Sequence, residues 1–140
     1  MSKIAVVYWS GTGNTEAMAN AIVEGINAGG AEGSLFNPGE FDASMLSSYD
    51  AVAFGCPAMG AEQLEDFEFE PMFESCKGSL SGKKLALFGS YGWGDGQWMR
   101  SWEESCREAG AKLVSEGLIC SGYPEAESLE SCRSLGRKLI

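Results

Sequence analysis

Residues 4–15 read IAVVYWSGTGNT, an apolar run that leads directly into a loop of small polar residues. The run is short and almost continuously apolar, which is typical of a strand buried on both faces. The loop is followed by a predicted helix whose apolar face is Met18, Ala21, Ile22, Gly25 and Ile26. A strand, a loop of small donors and a helix N-terminus direct several N–H groups at one point, which favours a bound phosphate.

This loop differs from two better-known phosphate loops. A Walker loop needs a lysine after its last glycine, and no lysine lies between Lys3 and Lys77. Gly11 and Gly13 begin a dinucleotide fingerprint, but Glu16 stands where the third glycine belongs and would repel a pyrophosphate. A phosphate would therefore be held by neutral donors. The alternative is an ordinary strand-to-helix turn that binds no ligand.

Composition and charge limit the classes of function. The 140 residues are 44% hydrophobic and are expected to form a single domain, residues 1–140. The net charge of −10 argues against nucleic acid and anionic membranes, and favours either a basic partner or simply solubility. No apolar run approaches the roughly 18 residues of a membrane span, and no signal-peptide pattern is present. We therefore expect a cytoplasmic protein.

Cysteine spacing and the absence of histidine limit the kinds of metal site and catalytic site that the chain can form. The chain has five cysteines, of which Cys120 and Cys132 are the closest pair, so it contains no Cys-x-x-Cys. This spacing argues against a zinc or iron–sulfur site and predicts reduced thiols. Without histidine the usual general base and metal ligand are missing. We expect neither catalytic residues nor metal ligands, and any reaction would depend on a cofactor.

Strand and helix patterns alternate along the whole chain. Strands are predicted at 4–8, 34–36, 51–55, 85–89 and 113–119. Helical patterns follow each of them, including a short one at 43–47, one that places Trp98, Trp102, Cys106 and Ala109 on one face before Gly110, and a last one after Pro124. Five strand–helix units predict an open parallel sheet covered by helices on both faces, with ligands beyond the carboxyl ends of the strands.

Two further glycine-rich loops follow predicted strands, at 56–62 and 89–96. Each contains one large apolar side chain, Met59 in the first and Trp93 in the second. An apolar side chain on an exposed loop is unfavourable unless it covers a ligand or a partner. A planar ring between the two would bury both, whereas the alternative is that both fold back onto the core.

The segments 8–16, 55–60 and 87–94 closely resemble the short-chain flavodoxins of anaerobic bacteria such as clostridia. The resemblance covers the whole chain, with the motifs in the right order and at the right spacing. It implies a flavodoxin-like three-layer α/β/α sandwich around a five-stranded parallel sheet of order 2-1-3-4-5, whose fifth strand continues without the insertion of the long-chain branch. It also implies a monomeric, low-potential one-electron carrier with non-covalently bound FMN, which shuttles between semiquinone and hydroquinone with redox-enzyme partners.

The resemblance also implies a role for individual residues. Met59 would cover the inner face of the flavin ring and Trp93 the outer face. The Gly60 carbonyl would turn towards N5, Glu62 would accept a hydrogen bond from N3, and the backbone around Gly92 would face N1 and O2. The phosphate would lie in the first loop. The complete cofactor set is Ser10, Gly11, Thr12, Gly13, Asn14, Thr15, Pro57, Ala58, Met59, Gly60, Glu62, Ser90, Tyr91, Gly92, Trp93 and Gly94.

The chain departs from some relatives at two positions of the second loop. Pro57 stands where some have serine, so a hydroxyl contact is missing, and Ala61 stands where some have aspartate, so one charge is missing. We expect these differences to change the redox potential and to leave the cofactor assignment intact.

An acidic segment follows the Met59 loop. It contains six acids and no base, and Asp95 lies beside Trp93. Such a collar would steer redox enzymes with basic docking surfaces towards the ring edge, or it is only a solvated helix face. The six acids are Glu62, Glu65, Asp66, Glu68, Glu70 and Glu74.

Two other functions stay open at this point. A flavin-dependent quinone or nitro reductase uses the same fold but needs a substrate pocket over the ring, which Trp93 would cover. A flavin-free interaction module would be colourless. A signalling receiver domain is excluded, because Ser10, Gly11, Cys56 and Pro57 occupy the positions where it needs acids.

Overall fold

A parallel sheet flanked by helices forms the centre of the molecule. The computed structural model describes residues 2–59, 63–92 and 94–140. Its elements, in chain order, are β1 (Lys3–Tyr8), α1 (Asn14–Ala28), β2 (Glu32–Phe36), two 3-10 turns (Pro38–Glu40 and Ala43–Ser48), β3 (Ala51–Gly55), α2 (Phe69–Lys77), β4 (Lys84–Tyr91), α3 (Gln97–Glu108), β5 (Lys112–Leu113), β6 (Leu118–Ser121) and α4 (Ala126–Lys138).

The strand order confirms the predicted topology. The sheet runs β2-β1-β3-β4-β5, all paired in parallel, and β6 continues the last position by pairing with the second half of β4. This is the order 2-1-3-4-5 with helices on both faces, which places the turning point of the topology between β1 and β3.

The prediction of one continuous fifth strand at 113–119 was wrong. The strand is broken between β5 and β6, and both pieces pair with β4. At the break, the backbone N–H of Gly117 donates to the carboxylate of Glu103 on α3. A backbone group that bonds a side chain of the covering helix leaves the ladder with β4, so the strand resumes only at Leu118.

Each face of the sheet carries its own apolar core. On one face α2 and α3 cover strand residues such as Val52 and Phe54. On the other face α1 and α4 cover alternate residues such as Val6 and Ala53. Because successive side chains of a strand point to opposite faces, two cores require strands that are apolar at nearly every position.

The helix predictions hold with small shifts. Trp98 and Trp102 lie in the core of α3, with 2% and 3% of their surface exposed. Gly110 follows the end of that helix with φ +86°, a left-handed conformation that favours glycine. The last helix begins at Ala126 rather than at Pro124. Among the described residues, no helix has the length and apolar character needed to cross a membrane.

Candidate functional site

Three loops meet at the carboxyl ends of β1, β3 and β4. The backbone N–H of Trp9 donates to the Gly55 carbonyl at 3.0 Å, and the N–H of Cys56 donates to the Phe88 carbonyl at 3.1 Å. Beyond the strands, the N–H of Ala58 donates to the Ser90 carbonyl at 3.2 Å. These bonds hold the predicted phosphate loop and the two glycine-rich loops side by side.

The first loop is folded around the hydroxyl of Ser10. Its Oγ accepts hydrogen bonds from the N–H groups of Gly13 (3.0 Å) and Glu16 (3.3 Å). Gly13 is the residue before α1 and has φ +95°, which an L-residue with a side chain rarely adopts. The N–H groups of Asn14 and Thr15, at the start of α1, find no acceptor among the described residues. Unpaired donors at a helix N-terminus fit a phosphate group.

The other polar side chains of this loop divide into two groups. Thr12 is exposed and Asn14 is half-buried, so both lie at the rim. Thr15 is buried below them, where its Oγ1 accepts from the Ser90 N–H and contacts the Ser90 Oγ, both at 3.4 Å. The buried Thr15–Ser90 contact joins the start of α1 to β4, and it therefore ties the first loop to the third.

A cleft of about 420 Å³ opens beside the first loop. Two carboxylates line it: Glu16 accepts from the Tyr8 hydroxyl at 3.0 Å and Glu68 accepts from the Trp9 indole N–H at 3.2 Å. Burial and, after it, the bond to Glu16 raise the pKa of Tyr8. Among the described residues no Lys or Arg lines this cleft. The carboxylates make the cleft itself unsuitable for an anion.

The loop after β3 is anchored on both sides of residues 60–62. Pro57, Ala58 and Met59 are half-buried. Met59 and Gln63 exchange two backbone hydrogen bonds of 2.9 Å each. The predicted ring contacts of Gly60 and Glu62 fall outside the described residues, as does Ala61, and their roles stay predictions.

The loop after β4 begins later than predicted. Ser90 and Tyr91 belong to β4, because both pair with β6. The ring of Tyr91 packs against Trp98 with centroids 5.6 Å apart. Gly92 and Gly94 are exposed, whereas Trp93 lies outside the described residues, so its stacking role stays a prediction.

The prediction that Glu65 lies on an exposed acidic surface was wrong. We expected it on an acidic collar, but only 6% of its surface is exposed. Its Oε1 accepts from the N–H groups of Glu68 and Phe69, both at 2.8 Å, and its Oε2 accepts from that of Phe67 at 3.0 Å. The signal in the sequence was a carboxylate four residues before an apolar helix start, where it can cap unpaired N–H groups. The exposed acids after it are Asp66, Glu68, Glu70 and Glu74.

Two more residues that sequence reasoning left unassigned hold the loops together. Cys56 accepts a bond from the Trp98 indole through its carbonyl (3.1 Å) and one from the Glu65 N–H through its Sγ (3.3 Å). Burial raises the pKa of the Cys56 thiol to about 12, so it stays protonated near neutral pH. Trp9 packs on the backbone of Gly11, where an added Cβ would lie 3.0 Å from the indole. The bond between Cys56 and Trp98 joins distant segments and has no local sequence signal.

Replacing Glu65 with glutamine is expected to lower the free energy of unfolding by about 1–3 kcal/mol. The amide oxygen can keep the N–H groups of Glu68 and Phe69, but the amide NH₂ then faces the N–H of Phe67, donor against donor. Urea unfolding measures the loss. Asp66→Asn is the matched control, since Asp66 is exposed, and should stay within about 0.5 kcal/mol of the parent. Equal effects of the two changes would contradict the capping role.

Comparisons with known proteins agree with this geometry. The family model described as flavodoxin matches residues 6–136. The chain is 46% identical over 134 residues to a flavodoxin of Clostridium beijerinckii, with 96% of both chains covered. It is 41% identical over 133 residues to a flavodoxin of Megasphaera elsdenii, with 95% of both covered. The solution structure of two-electron reduced Megasphaera elsdenii flavodoxin superposes with a TM-score of 0.89, at 42% identity and 97% coverage of both chains.

These similarities extend over nearly the full length of the chain and of the relatives. No observation favours a quinone or nitro reductase. Membership of one family explains the unpaired donors at the start of α1, the three adjoining loops and the sheet order 2-1-3-4-5. The chain belongs to the flavodoxin family of FMN-binding one-electron carriers.

Proposed function

We propose that residues 1–140 act as a single, monomeric, cytoplasmic domain that passes low-potential electrons to and from redox enzymes with basic docking surfaces. The observation that carries the proposal is the set of unpaired N–H groups at the start of α1, in a loop without any cation. Neutral donors bind a phosphate and add no positive charge near the cofactor. The bound FMN supplies the one-electron chemistry, and the protein supplies binding and orientation.

The phosphate end of the cofactor site is assigned to the first loop. The hydroxyls of Ser10 and Thr12 and the Asn14 side chain would bind the phosphate. They would act together with the unpaired N–H groups of Asn14 and Thr15, whereas the Gly13 N–H already donates to Ser10. Thr15 supports this end from below through Ser90. The Ser10 Oγ accepts two N–H bonds, so its hydroxyl hydrogen remains available to donate to a phosphate oxygen.

The ring end of the site is assigned to the second and third loops. Pro57, Ala58, Met59, Gly60 and Glu62 would face the ring from one side. The residues at the end of β4 and in its loop would face the ring from the other side, and these are Ser90, Tyr91, Gly92, Trp93 and Gly94. The fixed backbone between these loops supports this assignment, because the Ala58–Ser90 bond holds them a set distance apart.

Charge supports the proposed kind of partner. The chain has 20 acids against 10 bases, and neither lysine nor arginine occurs between Lys3 and Lys77. The first two of the proposed cofactor loops therefore lie in a stretch of the sequence that contains acids and no bases. A negative surface raises the encounter rate with basic proteins and orients them, with an effect that salt screens.

The cofactor is tested directly on the purified protein. Acid extraction followed by chromatography should release one FMN per chain. FAD would contradict a site built for one terminal phosphate, and a protein that neither contains nor takes up flavin would contradict the proposal as a whole.

Changing Trp93 to alanine is expected to weaken FMN binding about tenfold or more and to raise the fluorescence of the bound flavin. A stacked indole contributes about 0.5–1.5 kcal/mol beyond its buried area and quenches the flavin. Fluorescence titration of the apoprotein measures both effects. Trp102→Phe is the control, because Trp102 lies in the core between α2 and α3. Unchanged affinity and quenching in the Trp93 variant would place that indole away from the ring.

A further inference from the structure

Phe67 is exposed in a way that the other phenylalanines are not. All seven phenylalanines lie in the described part of the chain; five are buried, Phe36 is half-buried, and Phe67 has 88% of its surface in solvent. Burial of a phenylalanine side chain contributes about 1.5–3 kcal/mol, and this residue forgoes that contribution. An exposure of this size calls for a structural cause.

The cause is that hydrogen bonds fix the backbone of Phe67 on the side that faces the core. The N–H of Phe67 is one of the three that the buried Glu65 carboxylate accepts. Two residues later, Phe69 is fully buried against Phe54, Phe73 and Trp102. The turn lies between the buried Glu65 carboxylate and the buried Phe69 ring, so it cannot rotate to bury residue 67. The Phe67 side chain is therefore held on the solvent side. An ordered anchor loses less conformational entropy on binding than a mobile one.

The surroundings of Phe67 are acidic. Asp66, Glu68 and Glu70 flank it and are all exposed. The next cation along the chain, Lys77, already pairs with Glu74 at 3.2 Å. An apolar side chain surrounded by charged residues is typical of a binding hot spot. Its centre excludes water when a partner binds, and the charges around it determine which partners bind.

The turn is also attached to the cofactor site. The carboxylate of Glu68 accepts the indole N–H of Trp9, the residue directly before the phosphate loop. The backbone N–H of Glu65 donates to the Sγ of Cys56, where the Met59 loop begins. A protein that docks on Phe67 therefore lies next to two of the three loops that are proposed to bind FMN, the phosphate loop and the Met59 loop.

We propose that Phe67 is the apolar anchor of a docking surface, together with Asp66, Glu68 and Glu70, for a redox partner that presents an apolar depression ringed by lysine or arginine. This inference deepens the proposed function and rests on its basic partner. A second copy of the chain is disfavoured as the occupant, because two surfaces of this charge repel each other at a net charge of −10 per chain.

The test measures binding of the FMN-loaded protein to ferricytochrome c, a basic electron-transfer protein, by isothermal titration calorimetry at low and at physiological ionic strength. Phe67→Ser should raise the Kd about tenfold at both salt concentrations, because an apolar contact is not screened. The double variant Asp66→Asn, Glu70→Gln should raise the Kd mainly at low salt. Phe67→Leu should restore most of the affinity, and Tyr123→Ser, which removes another exposed aromatic ring after β6, should change nothing.

The outcomes separate the inference from the function on which it rests. If the Kd of Phe67→Ser lies within twofold of the Kd of the parent, the anchor role is overturned. If the double variant nevertheless raises the Kd at low salt, the basic-partner proposal stands. If neither variant changes the Kd, both fail. Sedimentation velocity of the parent gives the third outcome: a dimer at high concentration that Phe67→Ser abolishes would assign the surface to a second copy and overturn the proposed partner.

Discussion

Gly89→Ala is expected to lower the affinity for FMN about 100-fold or more, equivalent to about 2.7 kcal/mol, and to destabilise the fold by about 2–4 kcal/mol. A Cβ at this position would lie 2.2 Å from the carbonyl oxygen of Cys56. That oxygen accepts the indole N–H of Trp98, so it is held on both sides and cannot move aside cheaply. The ends of β3 and β4 would have to separate, and the bond from Ala58 to Ser90 that joins the two ring loops would break.

The measurement is a fluorescence titration of the apoprotein with FMN, accompanied by urea unfolding. Gly78→Ala is the matched control, since its added Cβ meets nothing within 4 Å and its φ is −68°. The prediction fails if the Gly89 variant binds FMN as the control does, because the close approach of the two strand ends would then not position the loops. A variant that unfolds more easily but keeps its affinity would limit the role of Gly89 to stability.

Gly25→Ala is expected to remove about 3–5 kcal/mol of stability, a large share of the roughly 5–15 kcal/mol of a typical domain. Helix propensity alone predicts a gain in stability, because alanine is more favourable than glycine in a helix interior by about 1 kcal/mol. The steric effect wins, because the added Cβ would lie 2.0 Å from the backbone carbonyl oxygen of Arg133 on α4. The two helices touch backbone to backbone, and the whole α1–α4 contact would have to open.

The effect is read from the urea midpoint and from thermal unfolding of the apoprotein. Gly136→Ala approaches the same contact from α4, where its Cβ would lie 2.3 Å from the carbonyl oxygen of Ile22, and it should cause a similar loss. Gly78→Ala again serves as the control and should leave the midpoint nearly unchanged. A Gly25 variant as stable as the parent would mean that α4 shifts freely, contrary to the packing of Cys132 and Leu135 in the buried core.

The predictions that held rest on short-range patterns. The apolar runs at 4–8 and 51–55 are strands because two-sided burial requires an apolar residue at nearly every position. Residues 10–13 form the turn before α1 because glycine at position 13 allows the left-handed backbone and the Ser10 hydroxyl can accept bonds from nearby N–H groups. Each property acts within a few residues, so it is visible in the chain itself.

The predictions that failed depended on burial and on side-chain contacts that only the folded chain creates. Glu65 reads as one more surface acid within a run of acids, and only the packing of the turn after β3 against the sheet shows that its carboxylate is buried. The fifth strand reads as continuous, and only the position of Glu103 on α3 shows that the backbone at Gly117 bonds elsewhere. The N–H partners of Glu65 are only two to four residues away, but the burial of its carboxylate is not visible in the sequence. Nothing local marks Glu103 as the partner of Gly117.

Propensity, periodicity and glycine placement are local properties, so the sequence was enough to predict the first four strands, the helices and the family resemblance. The phosphate role of the first loop stays a prediction. Only the folded structure shows how the three loops are held. Thr15 accepts a bond from Ser90, the Cys56 carbonyl accepts one from Trp98, and Trp9 donates one to Glu68. Tertiary structure also decided that Phe67 points outwards while Phe69 points inwards. The physical reason is that burial and hydrogen-bond partners are set by which surfaces the folded chain brings together, and residues two positions apart can meet opposite surroundings.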